Sequence, residues 1–525
     1  MTATSLRPLA ATRGLNAERW AWPALAVASL LGVLAYLLVT RAAGYVGYPL
    51  DDGWIHQTFA RNIAERGEFS FVPGVPSAGS TAPLWSLALA VGHVLRVEPR
   101  VWSYALGLGA LLATAGLTFE QARAWLAGRW RWALVAGLIV AFEWHLIWAA
   151  VSGMETLLFA ALALAALTLA PRRPLLLGVV TALAISTRPD GWLLVPFVWL
   201  RVALPPVTDS NGRIDLRGWR KVIPASLRFG LTLAAVVAPY LALNWSLNGS
   251  IFPNTMAAKA VEQAFLFDLP ILERAFWHCS YLPGCEPGPL LQPWVGGQAL
   301  LLPGLVAFAV LRVRRRAWAD LLPAAWALTL LCAYAYRLPI IYQHGRYMIP
   351  AIPALLLAAV VGMAEVVRLD SVRMLPRVAS RIWVVAGLAS IASFVVIGAR
   401  TYARDVAFIE TEMVAGALWI RDNTPPDSIV AAHDIGALGY FTGRRIRDLA
   451  GLVDPEIIPI LGDEDRLAQW MDDVGVDYVM TMQRFTPRIV AEHPDAVVYV
   501  SPYTVSTSIG YDQTLILKWG GDGTP

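Results

Sequence analysis

Two adjacent carboxylates, Asp51 and Asp52, stand in the stretch Tyr48-Pro-Leu-Asp51-Asp52-Gly-Trp-Ile-His-Gln-Thr58, just past the first long apolar run of the chain. At the edge of a membrane such a pair is costly to desolvate, which makes it a functional candidate. One Asp can cap a helix running from Gly53 to Arg66, worth about 1 kcal/mol, but capping accounts for one carboxylate and not two. The chemistry open to a pair is to take a proton from an attacking hydroxyl with one carboxylate while the other hydrogen-bonds or holds a metal. Glu155, in Ser152-Gly-Met-Glu155-Thr156, is a further acid at the start of an apolar run. Complementarity to a helix N-terminus, about 0.3–1 kcal/mol, is the simpler explanation of it taken alone. Lys259 is one of only three Lys. It is either a snorkelling charge or a phosphate contact, which a compact ammonium makes as a point charge. His344 and Arg346 open another apolar run, where an anionic partner would explain the cation. Arg188, in Thr187-Arg188-Pro-Asp190, has a ready local ion-pair partner in Asp190, the reading its spacing favours. There is no G-x-S-x-G, H-E-x-x-H or Walker A motif. The seven His are scattered, which argues against a multi-His metal centre.

The elements that must position these groups are apolar. Of 525 residues, 57% are hydrophobic and 15% charged, against about 25% charged in soluble domains; the chain is expected to be a polytopic α-helical membrane protein. Lys and Arg exceed Asp and Glu by only 42 to 38. The Arg sit in short loops between apolar runs, a topological pattern that excludes nucleic-acid binding. Apolar spans run over roughly 20–42, 82–96, 101–119, 132–150, 155–170, 175–187, 191–204, 225–246, 297–311, 317–336, 346–367 and 382–400. The first follows Arg7, Arg13 and Arg19 and is too long for a typical signal-peptide core, so it reads as an uncleaved anchor with a cytoplasmic N-terminus. If 82–96 lies along the outer interface, the basic connections near 120–131, 171–174, 205–224, 312–316 and 368–381 all face the cytoplasm; if it crosses, all of them flip. The positive-inside rule therefore favours about eleven crossings with a juxtamembrane helix at 82–96. The same parity puts the segments 44–81, 151–156, 186–191 and 248–296 and the turn before Arg346 on one outer face, where a site built from several loops over the mouth of a helix bundle is expected.

The multi-pass part is expected over 1–401 and an outward-facing soluble α/β domain over 402–525, where polar residues return. Its helices are expected over 408–423 and 466–474. Strands are expected at Ser428-Ile-Val-Ala-Ala432, Val476–Met482, Ala496–Val500 and Thr514–Lys518. Asp434-Ile-Gly-Ala-Leu-Gly439 is Gly-rich but lacks G-x-G-x-x-G, so it is not read as a nucleotide site. Cys279 and Cys285 bracket five residues of a polar loop and either bridge, if it faces an oxidising compartment, or stay free; Cys332 is read as inert.

Taken together, the loops resemble the C-type (GT-C) glycosyltransferases, membrane enzymes that use polyprenyl-phosphate sugars. Within them the chain is most similar to the bacterial branch of arabinofuranosyltransferase-like enzymes, aminoarabinose transferases and protein mannosyltransferases. The segments that carry the resemblance are Asp51-Asp52 with Phe59-Ala-Arg61-Asn-Ile-Ala64, Phe71-Val-Pro-Gly74 and Ser80-Thr-Ala-Pro-Leu-Trp85. Further on they are Ser152-Gly-Met-Glu155-Thr156, Thr187-Arg-Pro-Asp-Gly191, Pro253-Asn-Thr-Met-Ala-Ala-Lys259 and Gly345-Arg-Tyr-Met-Ile-Pro350. The resemblance implies transfer of a sugar from a polyprenyl-phosphate donor to a glycan, lipid or protein acceptor at the outer face of the cytoplasmic (inner) membrane. It implies a catalytic base at Asp51, with Asp52 as alternative, and assistance from Glu155. Lys259 and Arg346 would bind the lipid phosphate; His344 and Arg188, from their own positions against the charge trend, are further candidate binding residues. The segments Asp434–Tyr440 and Asp448–Leu452 resemble recurrent ones tied to acceptor binding. Relatives that use a divalent metal hold it on spaced acidic pairs; here the acids are adjacent, so no metal ligand is assigned and a divalent metal is left open. The rival functions are a transporter or flippase of lipid-linked sugars and a non-catalytic envelope assembly protein.

Overall fold

The computed structural model describes residues 18–207, 219–282, 284–502 and 512–520. Arg7, Arg13, Arg213 and Arg217, which enter the charge-parity reasoning, and the side chains of Cys279 and Cys285 lie outside the described residues.

The first helix, α1 (Ala21–Ala42), is a membrane-length run. Next come α2 (Asp52–Arg66) and α3 (Pro83–Val94), then the long α4 (Pro99–Trp125). Helix α4 starts cleanly. Pro99 sits in its first turn, where a missing N–H costs nothing, and the Glu98 side chain accepts the Val101 N–H at 2.9 Å. The span expected over 132–150 is broken into α5 (Trp130–Ala141) and α6 (Trp144–Ala150), bent by 56°. At the break Glu143 caps α6, accepting the Leu146 N–H at 2.8 Å, and lies 2.7 Å from Nδ1 of His145. Then follow α7 (Thr156–Thr168), α8 (Pro174–Thr187), α9 (Leu194–Val207), α10 (Trp219–Asn248) and the short α11 (Asn254–Glu262). The bundle closes with α12 (Leu302–Arg314), α13 (Trp318–Arg337), α14 (Ile352–Val366) and α15 (Met374–Ile409).

Among the described residues seven helices are long and apolar enough to cross a membrane, or eight if the bent pair counts as one span. Helices α7 and α8, of 13 and 14 residues, extend only about 20 Å. They are shorter than a hydrocarbon core of about 30 Å, and most of their residues are buried among neighbouring helices. Helix α3 buries Trp85, Leu89 and Ala90 against Ala60 of α2 and exposes Leu87, Val91 and Val94 on its other face. A helix apolar on both its protein-facing and its outward faces suits a lipid boundary.

Helix α15 runs through position 402 without interruption and continues, through a π-helical turn at Glu410–Val414, into α16 (Ala415–Asn423). The helix expected from 408 is therefore the end of one that starts in the bundle. Beyond it are β1 (Ile429–Ala432), α17 (Gly436–Phe441), β2 (Arg445–Asp448), α18 (Glu464–Asp473), β3 (Tyr478–Met482), β4 (Val497–Val500) and β5 (Thr514–Lys518). The sheet order is β2-β1-β3-β5-β4. β1 pairs in parallel with β2 and β3, and β5 pairs antiparallel with β3 and β4. All four expected strands are present. β2 was not expected, because Arg445-Ile-Arg-Asp448 carries three charges in four residues; it is an edge strand, where charge is tolerated and discourages further pairing. This sheet does not stand apart. Tyr48, Trp54, Phe59 and Phe71 of the first loop share one core with Ile435, Leu438, Met480 and Ile516.

Candidate active site

Helix α2 presents charged groups to two different neighbours. Toward the C-terminal region, both carboxylate oxygens of Asp51 accept backbone N–H groups, from Gly436 at 2.5 Å and Ala437 at 2.8 Å. Ten residues on, Arg61 donates to the carbonyls of Tyr440 at 2.7 Å and Gly439 at 3.0 Å. The six-residue α17 thus has an anion at its N-terminus and a cation at its C-terminus, the arrangement that satisfies both its dipole and its open backbone groups. Gly436 is required by this contact, since a Cβ there would lie 2.0 Å from the Asp51 carbonyl oxygen. Burial and the neighbouring Asp434 carboxylate push the Asp51 carboxyl up to about 7, against the pull of the two N–H groups. Neither Asp51 nor Asp52 caps α2 with its side chain, contrary to the simple capping explanation.

Toward the bundle, Asp52 opens into a cavity of about 290 Å³, whose lining also includes His56, Glu155, Arg188, Asp190, Lys259, Arg337 and Arg346. Oδ2 of Asp52 accepts from Nη1 of Arg346 at 2.6 Å. Arg346 also donates to the Tyr347 hydroxyl at 3.0 Å, and its Nε is buried without a hydrogen-bond partner among the described residues. Burial pushes the Asp52 carboxyl up, but Arg346 and Lys259 together outweigh it and hold the group down at about 2. Tyr347 is the hub of the cationic side, with Arg346, Arg188 and Lys259 at 4.9, 5.3 and 5.7 Å from its ring centroid. Cations over an aromatic face are favourably placed, so the ring holds three positive groups close together.

Glu155, at the N-cap of α7, makes no capping hydrogen bond. One oxygen accepts from Nη1 of Arg188 at 3.0 Å and the other lies 3.3 Å from Nε2 of His56. Arg188 also pairs with Asp190 at 2.8 Å, as its spacing suggested, and Tyr334 donates to the same Asp190 oxygen at 2.6 Å. Asp52, Glu155, Lys259, Arg188 and Arg346 therefore meet in one cavity, although they come from five separate stretches of sequence.

Two of the residues expected at the site are not in its lining. Asp51 is turned to α17, its carboxylate occupied by two backbone N–H groups. His344 points elsewhere: its Nε2 lies 2.8 Å from Oδ2 of Asp405, beside the rings of Trp144 and Trp148. The cause is local. Gln343, His344 and Gly345 have φ of 55°, 58° and 62°, and this left-handed turn sends His344 away while bringing Arg346 into the cavity. The site also contains His56, Tyr347, Asp190, Tyr334 and Arg337, to which the sequence reading gave no site role. His56 carried a usable signal, since it lies four residues after Asp52 and a helix puts both on one face. Of the C-terminal segments, Asp448 is fully buried and accepts the Ala450 and Val453 N–H groups, shaping a loop whose Leu452 reaches the cavity wall. Among the described residues no three His, Cys, Asp or Glu side chains converge as a metal's ligands would. Asp52, Glu155 and Asp190 are each engaged by an Arg, so this donor set does not fit a divalent cation.

Residues 402–517 match a family described as a domain of unknown function, DUF8728. No curated protein matches the sequence. Among solved structures, the chain is similar to the apo oligosaccharyltransferase of Archaeoglobus fulgidus, with a TM-score of 0.57 at 12% identity over 88% of this chain and 69% of that one. It is also similar to ArnT from Cupriavidus metallidurans bound to undecaprenyl phosphate, with a TM-score of 0.56 at 15% identity over 96% of this chain and 99% of that one. The chain has the GT-C fold. That agrees with the architecture expected from the sequence, a polytopic helical membrane bundle carrying a C-terminal α/β unit.

Proposed function

We propose that the protein is a glycosyltransferase that moves a sugar from a polyprenyl-phosphate-linked donor to a hydroxyl of an envelope glycan, lipid or protein at the outer face of the cytoplasmic membrane. One observation carries this reading: a single cavity within a GT-C bundle has Lys259 and Arg346 as cations beside Asp52 and Glu155 as carboxylates. The undecaprenyl phosphate bound in ArnT, which shares the fold, supports a lipid phosphate as the anion. In the reaction the sugar–oxygen bond to phosphate breaks and charge gathers on the departing phosphate. Lys259 and Arg346 stabilise that charge as it develops. The acceptor hydroxyl enters on the carboxylate side, hydrogen-bonded to Asp52, which gives up part of its contact with Arg346 as the phosphate arrives. Asp51 has no such role, because its carboxylate is already used against α17.

The test is transfer of radiolabelled sugar from synthetic polyprenyl-phosphate donors to acceptor in membranes. Asp52→Asn and Glu155→Gln are each expected to lower kcat/KM by about 100-fold or more. Full activity in both would overturn this site. The location is tested separately, on a background lacking the three native Cys. A Cys at Arg96 is expected to react with a membrane-impermeant maleimide added to intact cells, and a Cys at Arg129 is not. Labelling at Arg129 would reverse the topology.

A further inference from the structure

His56 lines the cavity one helical turn beyond Asp52 and is only 4% exposed. Its Nε2 faces Glu155 at 3.3 Å, and its Nδ1 is buried without a hydrogen-bond partner among the described residues. A buried ring nitrogen without a partner is uncommon enough to need a reason. We infer that His56 is the catalytic base: its imidazole, in the cavity lining, takes the proton of the acceptor hydroxyl, and the Glu155 carboxylate 3.3 Å from Nε2 compensates the imidazolium. This rests on the glycosyltransferase reading and names the proton acceptor within it.

Charge balance supports the assignment. The described lining holds four cations, Arg188, Lys259, Arg337 and Arg346, and three carboxylates, Asp52, Glu155 and Asp190, a net of 4 − 3 = +1. That matches the single negative charge of a sugar phosphodiester. During transfer the sugar's bond to the phosphate oxygen breaks and the electron pair stays with the phosphate. The acceptor oxygen bonds to the sugar carbon and loses its proton, and the phosphate becomes a monoester with a second negative charge. If the proton left the cavity, the cavity would carry an uncompensated negative charge in a poorly solvated place, which is expensive. If His56 keeps it, the lining becomes +2 against −2. The carboxylates are less suited to the task, as Asp52 is held by Arg346 at 2.6 Å and Glu155 by Arg188 at 3.0 Å. Imidazole is the side chain whose charge ordinarily changes near neutral pH. The charged groups around His56 are Asp52 on its own helix, Glu155 at the start of α7, and Arg188, Lys259, Arg337, Arg346 and Asp190 across the cavity. On the neighbouring α3, His93 is engaged with Gln57 at 3.0 Å, and on α17 Tyr440 lies against Trp54.

The experiment measures kcat and KM against pH for the full-length protein in membranes, as wild type, His56→Gln and His56→Ala, with thermal unfolding and binding of undecaprenyl phosphate as checks on folding. Wild-type kcat/KM is expected to rise with pH along a single ionisation. Both variants should bind undecaprenyl phosphate, lose about 100-fold or more in kcat and lack that rising limb. Added imidazole should restore part of the activity of His56→Ala. Should that variant fail to fold, His56→Gln, a polar side chain of similar reach that has no basic nitrogen, decides. A rising limb retained in His56→Gln, or a loss of less than about threefold, would overturn the base assignment alone. Absence of any transfer by wild type that still binds undecaprenyl phosphate would instead overturn the glycosyltransferase reading on which it rests.

Discussion

Arg346→Ala is expected to reduce sugar transfer by about 10²- to 10³-fold, the usual effect of removing one preorganised group that stabilises transition-state charge. Two losses combine. The guanidinium is buried and charged, and its unpartnered Nε is a donor available to a phosphate oxygen. Its removal also strands Asp52, whose carboxylate is paired with it at 2.6 Å, and breaking such a pair costs more than the pair contributes. Arg346→Lys keeps the charge but not the planar fork that reaches Asp52 and Tyr347 together, so an intermediate loss of about 10-fold is expected. The pH dependence of unfolding gives a second readout. In the wild type Asp52 is held at about 2, below its ordinary value of 3.8. Its contribution to stability is therefore complete above about 4 and is lost as pH falls toward 2. Without Arg346 the main pull on Asp52 is gone while that of Lys259 remains, so the contribution shrinks. Transfer assays at neutral pH and thermal unfolding between about pH 2 and 7 would check both effects. Activity within about threefold of wild type would remove Arg346 from the phosphate site.

The parts of this site that were legible in the sequence were those where charge is expensive. Lys259, Arg346, Glu155 and Asp52 stood out because ionised groups beside apolar runs need a reason, and the structure brings the four into one cavity. The architecture was legible for a related cause: strands and spans follow from composition and period, as the match of all four expected strands indicates. What was hidden depended on partners far away in the chain. Nothing near Asp51 announces that its oxygens will meet the N–H groups of residues 385 and 386 positions later. His344 and Arg346 look equivalent in sequence, and only a left-handed turn sends them apart. Tyr347 gathers three cations by shape, which no spacing rule reveals. The run from α15 into α16 was divided by composition because its surroundings change from lipid to protein while its backbone continues.

Asp51→Ala is the variant that separates anchoring from catalysis, and its expected result is loosened docking of the C-terminal sheet. The substitution leaves the Gly436 and Ala437 N–H groups without their acceptors at a buried contact. Each buried donor left unsatisfied costs about 1–3 kcal/mol, so local destabilisation of about 2 kcal/mol or more is expected. Gly436→Ala attacks the same contact from the other side, because its Cβ would need to displace backbone 2.0 Å away. Arg61→Ala removes the bonds to the Gly439 and Tyr440 carbonyls and should act in the same direction more weakly. In all three, amide hydrogen exchange across 436–441 should speed up by more than about tenfold. Transfer should fall only as far as the cavity loses its Leu452 wall, with the pH profile unchanged in shape. If Asp51 were instead the base, Asp51→Ala would abolish transfer while Gly436→Ala, with equally fast exchange, kept most of it. The comparison works because Asp51 and Asp52 stand side by side at the start of α2 but point to different neighbours: one carboxylate meets the backbone of α17 and the other faces the cavity.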